Sequence, residues 1–468
     1  MKNTAGAGNL SLALPTPCFT DPMPTSAQVL GKFAAELAFA DIPTAVVERA
    51  KDCIIDTVGV ATFGAQFPWS RLVANYARRY GSGGPCSILG VAGSRVHAPY
   101  AALANGVFAH AYEQDSVRDP GVGAHPGATL VPAVLAACEE TGADGKTAIA
   151  AFVAGCEVMF RIAAATHHSP EKLGFHAPGL TGCYGAAVAA GRVLGLNAGA
   201  LANAIGIAGS LSSGLLAFTK SKSGAMVKRL HLGRASESGI LAARLAAEGY
   251  TGPETILEGK FGFLEAYCRE RDCDPKLLTG ELGKNWEVMR ICLKRYACHI
   301  NAHTPVQSLR ELMSEHGFGS ADVAKIVIEG SDRLLTHHNI TEPGDIMQAQ
   351  YSVPFCVALA LFRDPDDPKS FDAGALDDPA IRAACRSVEL RAQEGRSPRS
   401  TRIIVRLKDG REVARDSDTF KGMPRSPLNR AELRRKFTLL TAGADAKGSA
   451  ALFERLERLD TEPRFLPA

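Results

Sequence analysis

From about residue 26 to about residue 265 the chain repeats apolar residues at helical spacing, and many of the residues on that repeat are unusually small. Between Pro43 and Gly59, the residues Val46, Val47, Ala50, Cys53, Ile54 and Val58 recur at helical spacing, with Pro43 where a first turn tolerates proline. The same period predicts helices over 26–39, 97–112, 127–141, 145–166, 178–194, 198–209 and 234–248. Gly182, Gly185, Ala186, Ala189 and Ala190 leave a flat face where two backbones can come close, so tight helix packing is expected, and such a face also suits a helical dimer interface. Glu157 and Arg161 stand four apart in an apolar run, which brings them together. We read them as a structural pair, since either charge buried alone would be costly.

The pattern changes after Gly262. Residues 270–290 are polar and charged, and then 321–332 and 400–418 alternate in the manner of strands, the second with Asp409 and Gly410 as a hairpin turn. A smaller α+β domain is therefore expected over 269–420. Residues 421–468 return to amphipathic helix, which makes the small domain an insertion in a large helical one (26–268) and leaves a cleft between them. The fold class is mainly α. Residues 1–25, rich in Gly, Pro, Ser and Thr, read as a mobile arm without a targeting segment, and the chain as a cytoplasmic protein.

Charge and cysteine usage exclude several function classes. The 52 basic and 49 acidic residues are mixed throughout and leave a net charge of +3, so neither nucleic acid nor an anionic membrane is expected as a partner. The 12 cysteines lie scattered; Cys53, Cys138, Cys156 and Cys183 sit inside apolar helical patterns and read as small buried hydrophobes in a reducing compartment. There is no CxxC pair, GxGxxG fingerprint, phosphate loop or HExxH. His299 and His303 could ligate a metal only on one helix and with a third ligand. The apolar stretch 193–219 is broken by Asn197, Asn203 and its glycines and reads as a buried helix followed by a loop. Two adjacent pairs, His167 with His168 and His337 with His338, read as solvated.

The chemistry concentrates in four nitrogen groups set among small residues. These are His125 in HPGA, His176 in GFHAPGLTG, Lys228 in VKRLHLG and His299 in KRYACHINAH. Each alone also reads as a hydrogen-bonded structural residue. Together in one cleft they would attract a polyanion and move protons.

The stretches 56–65, 104–136, 174–196, 225–263, 294–303 and 421–437 resemble, in order, the motifs of the MmgE/PrpD family, whose members include 2-methylcitrate dehydratase, cis-aconitate decarboxylase and iminodisuccinate epimerase. The resemblance implies a homodimer of a large all-helical domain with a smaller α+β lid, no metal or organic cofactor, and a di- or tricarboxylate substrate. It places the active site on Glu113 and Asp115, His125, His176, Lys228 and His299. Where many members carry an Asp-x-Asp-Asp-Thr string, this chain has Glu113, Gln114, Asp115, Ser116 and Val117, with a longer first acid and no threonine hydroxyl.

Removing a proton beside a carboxylate builds charge on the carbon skeleton, so the site must supply cations and donors where that charge develops. Lys228, helped by His231 or Arg229, is assigned as the carboxylate clamp, with Glu113 beside it at the substrate. His176 and His125 are assigned to proton transfer, His299 to a second carboxylate, and Asp115 to holding one imidazole in its tautomer. A hydro-lyase reaction on a small polycarboxylate is favoured, with decarboxylation or epimerisation on the same scaffold as alternatives. A non-catalytic carboxylate-binding dimer is the alternative of another class.

Overall fold

The computed structural model describes residues 23–221, 225–269, 272–443 and 446–465; of the arm expected over 1–25, only residues 23–25 fall within them. Among the described residues, ten α-helices precede residue 250: α1 Ser26–Glu36, α2 Thr44–Gly64, α3 Pro68–Tyr80, α4 Ala98–Ala109, α5 Pro126–Thr141, α6 Gly145–Ala165, the single turn α7 Ser169–Lys172, α8 Ala177–Val193, α9 Ala198–Ser210 and α10 Val227–Ala247. The chain is mainly α, as its periodicity predicts. α3 has no counterpart in the sequence reading, because its apolar residues Leu72, Tyr76 and Tyr80 lie exposed instead of marking a core stripe. α10 begins seven residues before its expected start, since VKRLH is polar enough to mask the period, and this puts Lys228, Arg229 and His231 on the first turns of a helix.

The small residues are used inside the chain. α6 and α8 cross where Gly155 meets Gly185, and a Cβ on Gly185 would lie 2.8 Å from the Gly155 carbonyl oxygen. α4 and α10 cross at Gly106 and Gly233, where a Cβ on Gly106 would lie 2.8 Å from the partner's Cα. The flat face of α8 read as suited to a dimer interface is thus covered by α6, α5 and α10 of the same chain. α6 is long and apolar enough to cross a bilayer, yet 94% of its apolar window is buried in this core. Its ion pair of Arg161 with Glu157, at 3.2 Å, is buried as expected, and Arg161 also donates to the Asn285 carbonyl at 3.0 Å.

Two short strand pairs carry the helical part onward: β1 Ser82–Ser87 with β2 Arg95–Val96, and β3 Val117–Arg118 with β4 Ile291–Cys292. After α11 Phe263–Tyr267 come α12 His303–His316, strand β5 Val323–Gly330, and helices α13 Asp332–His338, α14 Ile346–Tyr351, α15 Val353–Phe362, α16 Ala373–Asp377 and α17 Pro379–Ser387. Strands β6 Val388–Ala392, β7 Thr401–Leu407 and β8 Glu412–Ser417 complete a four-stranded sheet of order β6-β5-β7-β8. β5 pairs parallel with β6 and antiparallel with β7, and β7 and β8 form the hairpin read from Asp409 and Gly410, Gly410 having a φ of +90° that a side chain would strain. The core beneath this sheet takes in Val60, Phe63 and Tyr112 from the helical part.

The chain then returns through α18 Arg430–Leu440 and α19 Ala446–Glu457, which pack on α2. Phe437 fits against Gly59, where a Cβ would lie 3.0 Å from its ring. Lys436 on α18 pairs with Asp56 at 2.5 Å and donates to the Gln114 carbonyl at 3.2 Å, so the C-terminal return holds the loop after α4 from beneath.

Candidate active site

The loop His110 to Ser116, between α4 and β3, carries the acids. Its position follows from three supports: Lys436 below, the α4–α10 crossing that sets Lys228 beside it, and the β3–β4 pairing, which aligns Val117 with Cys292 and so brings Lys294 alongside. Glu113 is 6% exposed, and both of its carboxylate oxygens are engaged, one by Lys228 and the other by Lys294 at 3.2 Å. Lys294 also lies 3.8 Å from Asp115. Burial, then the charges of Lys294 and Arg229, push the Lys228 ammonium well below its ordinary range, while the Glu113 carboxylate touching it works against that shift.

Asp115 organises the imidazoles. Its Oδ2 lies 2.7 Å from His125 Nδ1 and 2.9 Å from His110 Nδ1. Burial alone would raise this carboxyl, but His110, His125 and Lys294 outweigh it and hold Asp115 well below the carboxylate range. An ionised carboxylate only accepts, so both Nδ1 atoms are the protonated ones. Burial holds His110 down to about 3, so that ring is neutral at neutral pH. The chain of rings continues from His110 to His176, centroids 6.4 Å apart, and from His176 Nδ1 to His231 Nδ1 at 2.9 Å. Two Nδ1 atoms this close share one proton, so the two rings are reciprocal tautomers and a proton passed to one is passed by the other. His176 is held well below its usual range by burial and by the neighbouring His110, His231 and His125.

A third group of rings comes from the C-terminal half. His299 Nδ1 accepts from the Asn301 N–H at 3.3 Å, which places its own proton on Nε2, the tautomer opposite to that of His125. Its ring packs on His338 at 4.2 Å and on Tyr351 at 4.9 Å, and Lys228 lies 5.1 Å from the Tyr351 ring. Gln350 ties the two halves together by donating to the carbonyls of Tyr112 and Ala297 at 3.1 and 3.0 Å. Burial first, then His338, Lys294, Arg399 and Lys228, depress His299.

His125, His176 and His299 stand at the N-caps of α5, α8 and the short turn before α12, and Lys228 lies on the first turn of α10. The small, proline-containing sequences that follow two of these histidines are helix starts. The positive ends of α5, α8 and α10 therefore meet beside the two lysines, an arrangement that favours an anion.

The sequence-predicted residues fall within one connected cluster, though not all in their expected contacts. His231 pairs with His176 instead of flanking the clamp. Arg229 donates through Nε to the Ala111 carbonyl at 3.0 Å and stacks on Trp69 at 4.1 Å. His299 and His303 are not ligand partners on one helix: His303 opens α12, accepts from the Tyr296 N–H at 3.2 Å and faces Cys298 Sγ at 3.6 Å. His338, read as solvated, is 5% exposed and donates through Nδ1 to the Tyr351 carbonyl at 3.0 Å; only its neighbour His337 is exposed, because successive residues of α13 face different sides. Lys294, His110, Tyr351 and His338 are new to the site. Lys294 and His110 lie inside motifs already singled out, whereas Tyr351 and His338 carry no local signal. Among the described residues, His110, Asp115 and His125 also bring metal-ligand atoms within 4.8 Å of one another, at distances that hydrogen bonds explain.

The sequence matches the model of the MmgE/PrpD N-terminal domain over residues 28–276 and that of the MmgE/PrpD C-terminal domain over 296–459. It is 27% identical over 464 residues to a cis-aconitate decarboxylase-like protein, oryM, of Aspergillus oryzae, covering 92% of each chain. It is 28% identical over 436 residues to the cis-aconitate decarboxylase of Aspergillus terreus, covering 87% of each. To that of Homo sapiens it is 27% identical over 411 residues, covering 84% of this chain and 82% of the relative.

Proposed function

The chain belongs to the MmgE/PrpD family, and from that premise we propose that it is a lyase that needs no cofactor and acts on a small polycarboxylate by acid–base chemistry at the cluster around Asp115. The observation that carries the proposal is the juxtaposition of an Asp115-anchored imidazole pair with two buried lysines at converging helix N-termini. The sequence motifs favour dehydration; the names of the relatives shift the weight to decarboxylation, and we place that first.

In decarboxylation the bond between the skeleton and one carboxylate breaks, carbon dioxide leaves, and the electron pair stays on carbon, spread into a neighbouring unsaturated bond. That carbon then takes a proton. Lys228, Lys294 and the helix N-termini stabilise the developing negative charge. His176 is the proposed donor: as it gives a proton to carbon it draws on the one it shares with His231, and His231, which is only half-buried, takes the replacement from solvent; a bound polyanion raises the hold of His176 on its proton. His299, with its proton on Nε2, is suited to donating to a carboxylate that stays. The same parts support the second reading: His125, with Asp115 accepting from its Nδ1, offers Nε2 to take the proton next to a carboxylate while an acid protonates the departing hydroxyl. Residues 269–420, which supply His299 and Tyr351, would act as the lid. Proton NMR in deuterated water with a panel of di- and tricarboxylates, combined with trapping of carbon dioxide, tests the proposal. Carbon dioxide release is the expected result; olefinic signals without it would make the enzyme a hydro-lyase, inversion with exchange an epimerase, and silence from folded protein would overturn the lyase reading.

A further inference from the structure

Glu113 holds a position at odds with a bystander's role. Its carboxylate bridges Lys228 and Lys294, the two ammonium groups facing the imidazole cluster, while its backbone sits in the left-handed region at φ 56°, which residues other than glycine rarely adopt and only at a cost. The two ion pairs offset that cost. Asp115, 3.8 Å from Lys294, matches the second ammonium charge, and Arg229 is turned to the Ala111 carbonyl and the Trp69 ring. With two carboxylates of the chain already set against the two lysines, the lysine pair has little net charge to spare, and what is left for a substrate is the remaining N–H donors of the two ammonium groups and the helix N-termini, each terminus worth roughly half an elementary charge. That suits two substrate carboxylates. A third would have to displace Glu113 or lie against it, and like charges brought together in a buried site are strongly disfavoured.

We propose that Glu113 is a built-in occupant of a carboxylate subsite between Lys228 and Lys294, and that by filling this subsite it selects dicarboxylates over tricarboxylates. The inference rests on the polycarboxylate reading above and narrows it.

Calorimetric binding of two non-reacting probes, glutarate and tricarballylate, to the full chain tests it without turnover. The wild-type protein binds glutarate at least about tenfold more tightly than tricarballylate, and Glu113→Ala closes that gap by about tenfold or more, mainly through tighter tricarballylate binding. Glu113→Gln, which keeps the side chain's length and hydrogen-bonding atoms but not its charge, shifts the preference in the same direction and serves if the alanine variant does not fold. Equal affinities in the wild type, or a preference that neither variant moves, would overturn the assignment. Carbon dioxide or olefin formation alongside an unmoved preference would sink the Glu113 proposal alone; a moved preference without turnover of any substrate would sink the lyase reading alone.

Discussion

His338→Gln isolates the cost of burying one neutral imidazole beside the site. His338 is 5% exposed, and burial holds it down to about 4, with its hydrogen bond to the Tyr351 carbonyl opposing. In the unfolded chain an imidazole titrates near about 6.5. The folded-state value is the depressed one, so the stability this residue contributes is fully present above about pH 6.5 and is lost as pH falls through that value toward about 4, because the unfolded chain then binds the proton and the folded chain does not. At about pH 7.5 the difference is negligible. At about pH 5 the unfolded state gains RT times the logarithm of a ratio near 30, or about 2 kcal/mol. Glutamine has a similar reach and keeps an N–H for the Tyr351 carbonyl, but it does not titrate. Urea unfolding of both proteins at the two pH values gives the double difference: the wild type loses about 2 kcal/mol more on acidification than the variant. Of the other depressed histidines, His110, His176, His231 and His303 act in both proteins and cancel, whereas His299, which His338 helps to depress, is relieved in the variant and adds to the difference in the same direction. Equal losses in the two proteins would refute the argument, since they would mean that folded His338 takes up its proton as readily as an exposed ring.

Three further expectations concern the site and its frame. Asp115→Asn removes the charge that accepts from both His110 and His125, and turnover falls by about 10²–10⁴-fold with substrate affinity far less affected; a loss of thermal stability with an unchanged rate in the remaining folded enzyme would make Asp115 structural. For His176→Gln the expected fall in turnover is roughly a hundredfold or more, read by the carbon dioxide and NMR assays, and a near-normal rate would move the proton transfer to another group. Arg161→Ala strands Glu157, whose carboxyl burial already raises to about 7, and costs about 3–5 kcal/mol in denaturant unfolding at neutral pH; a change below about 1 kcal/mol would show the pair to be dispensable.

The helices of the N-terminal half were legible because their positions repeat with a period that only one backbone conformation turns to one face, and Glu157 with Arg161 could be paired from spacing alone. α3 and the first turns of α10 were not, since exposed aromatics and a cluster of cations interrupt the stripe that periodicity reads. The β7–β8 hairpin was carried by local alternation and an Asp-Gly turn; β6, which joins the sheet in parallel after a long crossover, has no such local mark. Small residues around His125, His176, Lys228 and His299 pointed to close backbone approach. They did not say whose backbone, and the flat face of α8 proved to be spent on α6, α5 and α10.

Residue type and local spacing by themselves determined which groups can carry protons and charge here, because an imidazole, an ammonium and a carboxylate keep those capacities wherever the chain places them. Tertiary structure decided their pairing. His110 and His125 share an oxygen of Asp115, His176 shares a proton with His231, and His299 takes the opposite tautomer, through contacts between groups as far apart in sequence as Glu113 and Lys294. Tautomer, protonation and the occupancy of a lysine pair depend on what lies within about 3 Å and on how much water is excluded, and long-range packing sets both.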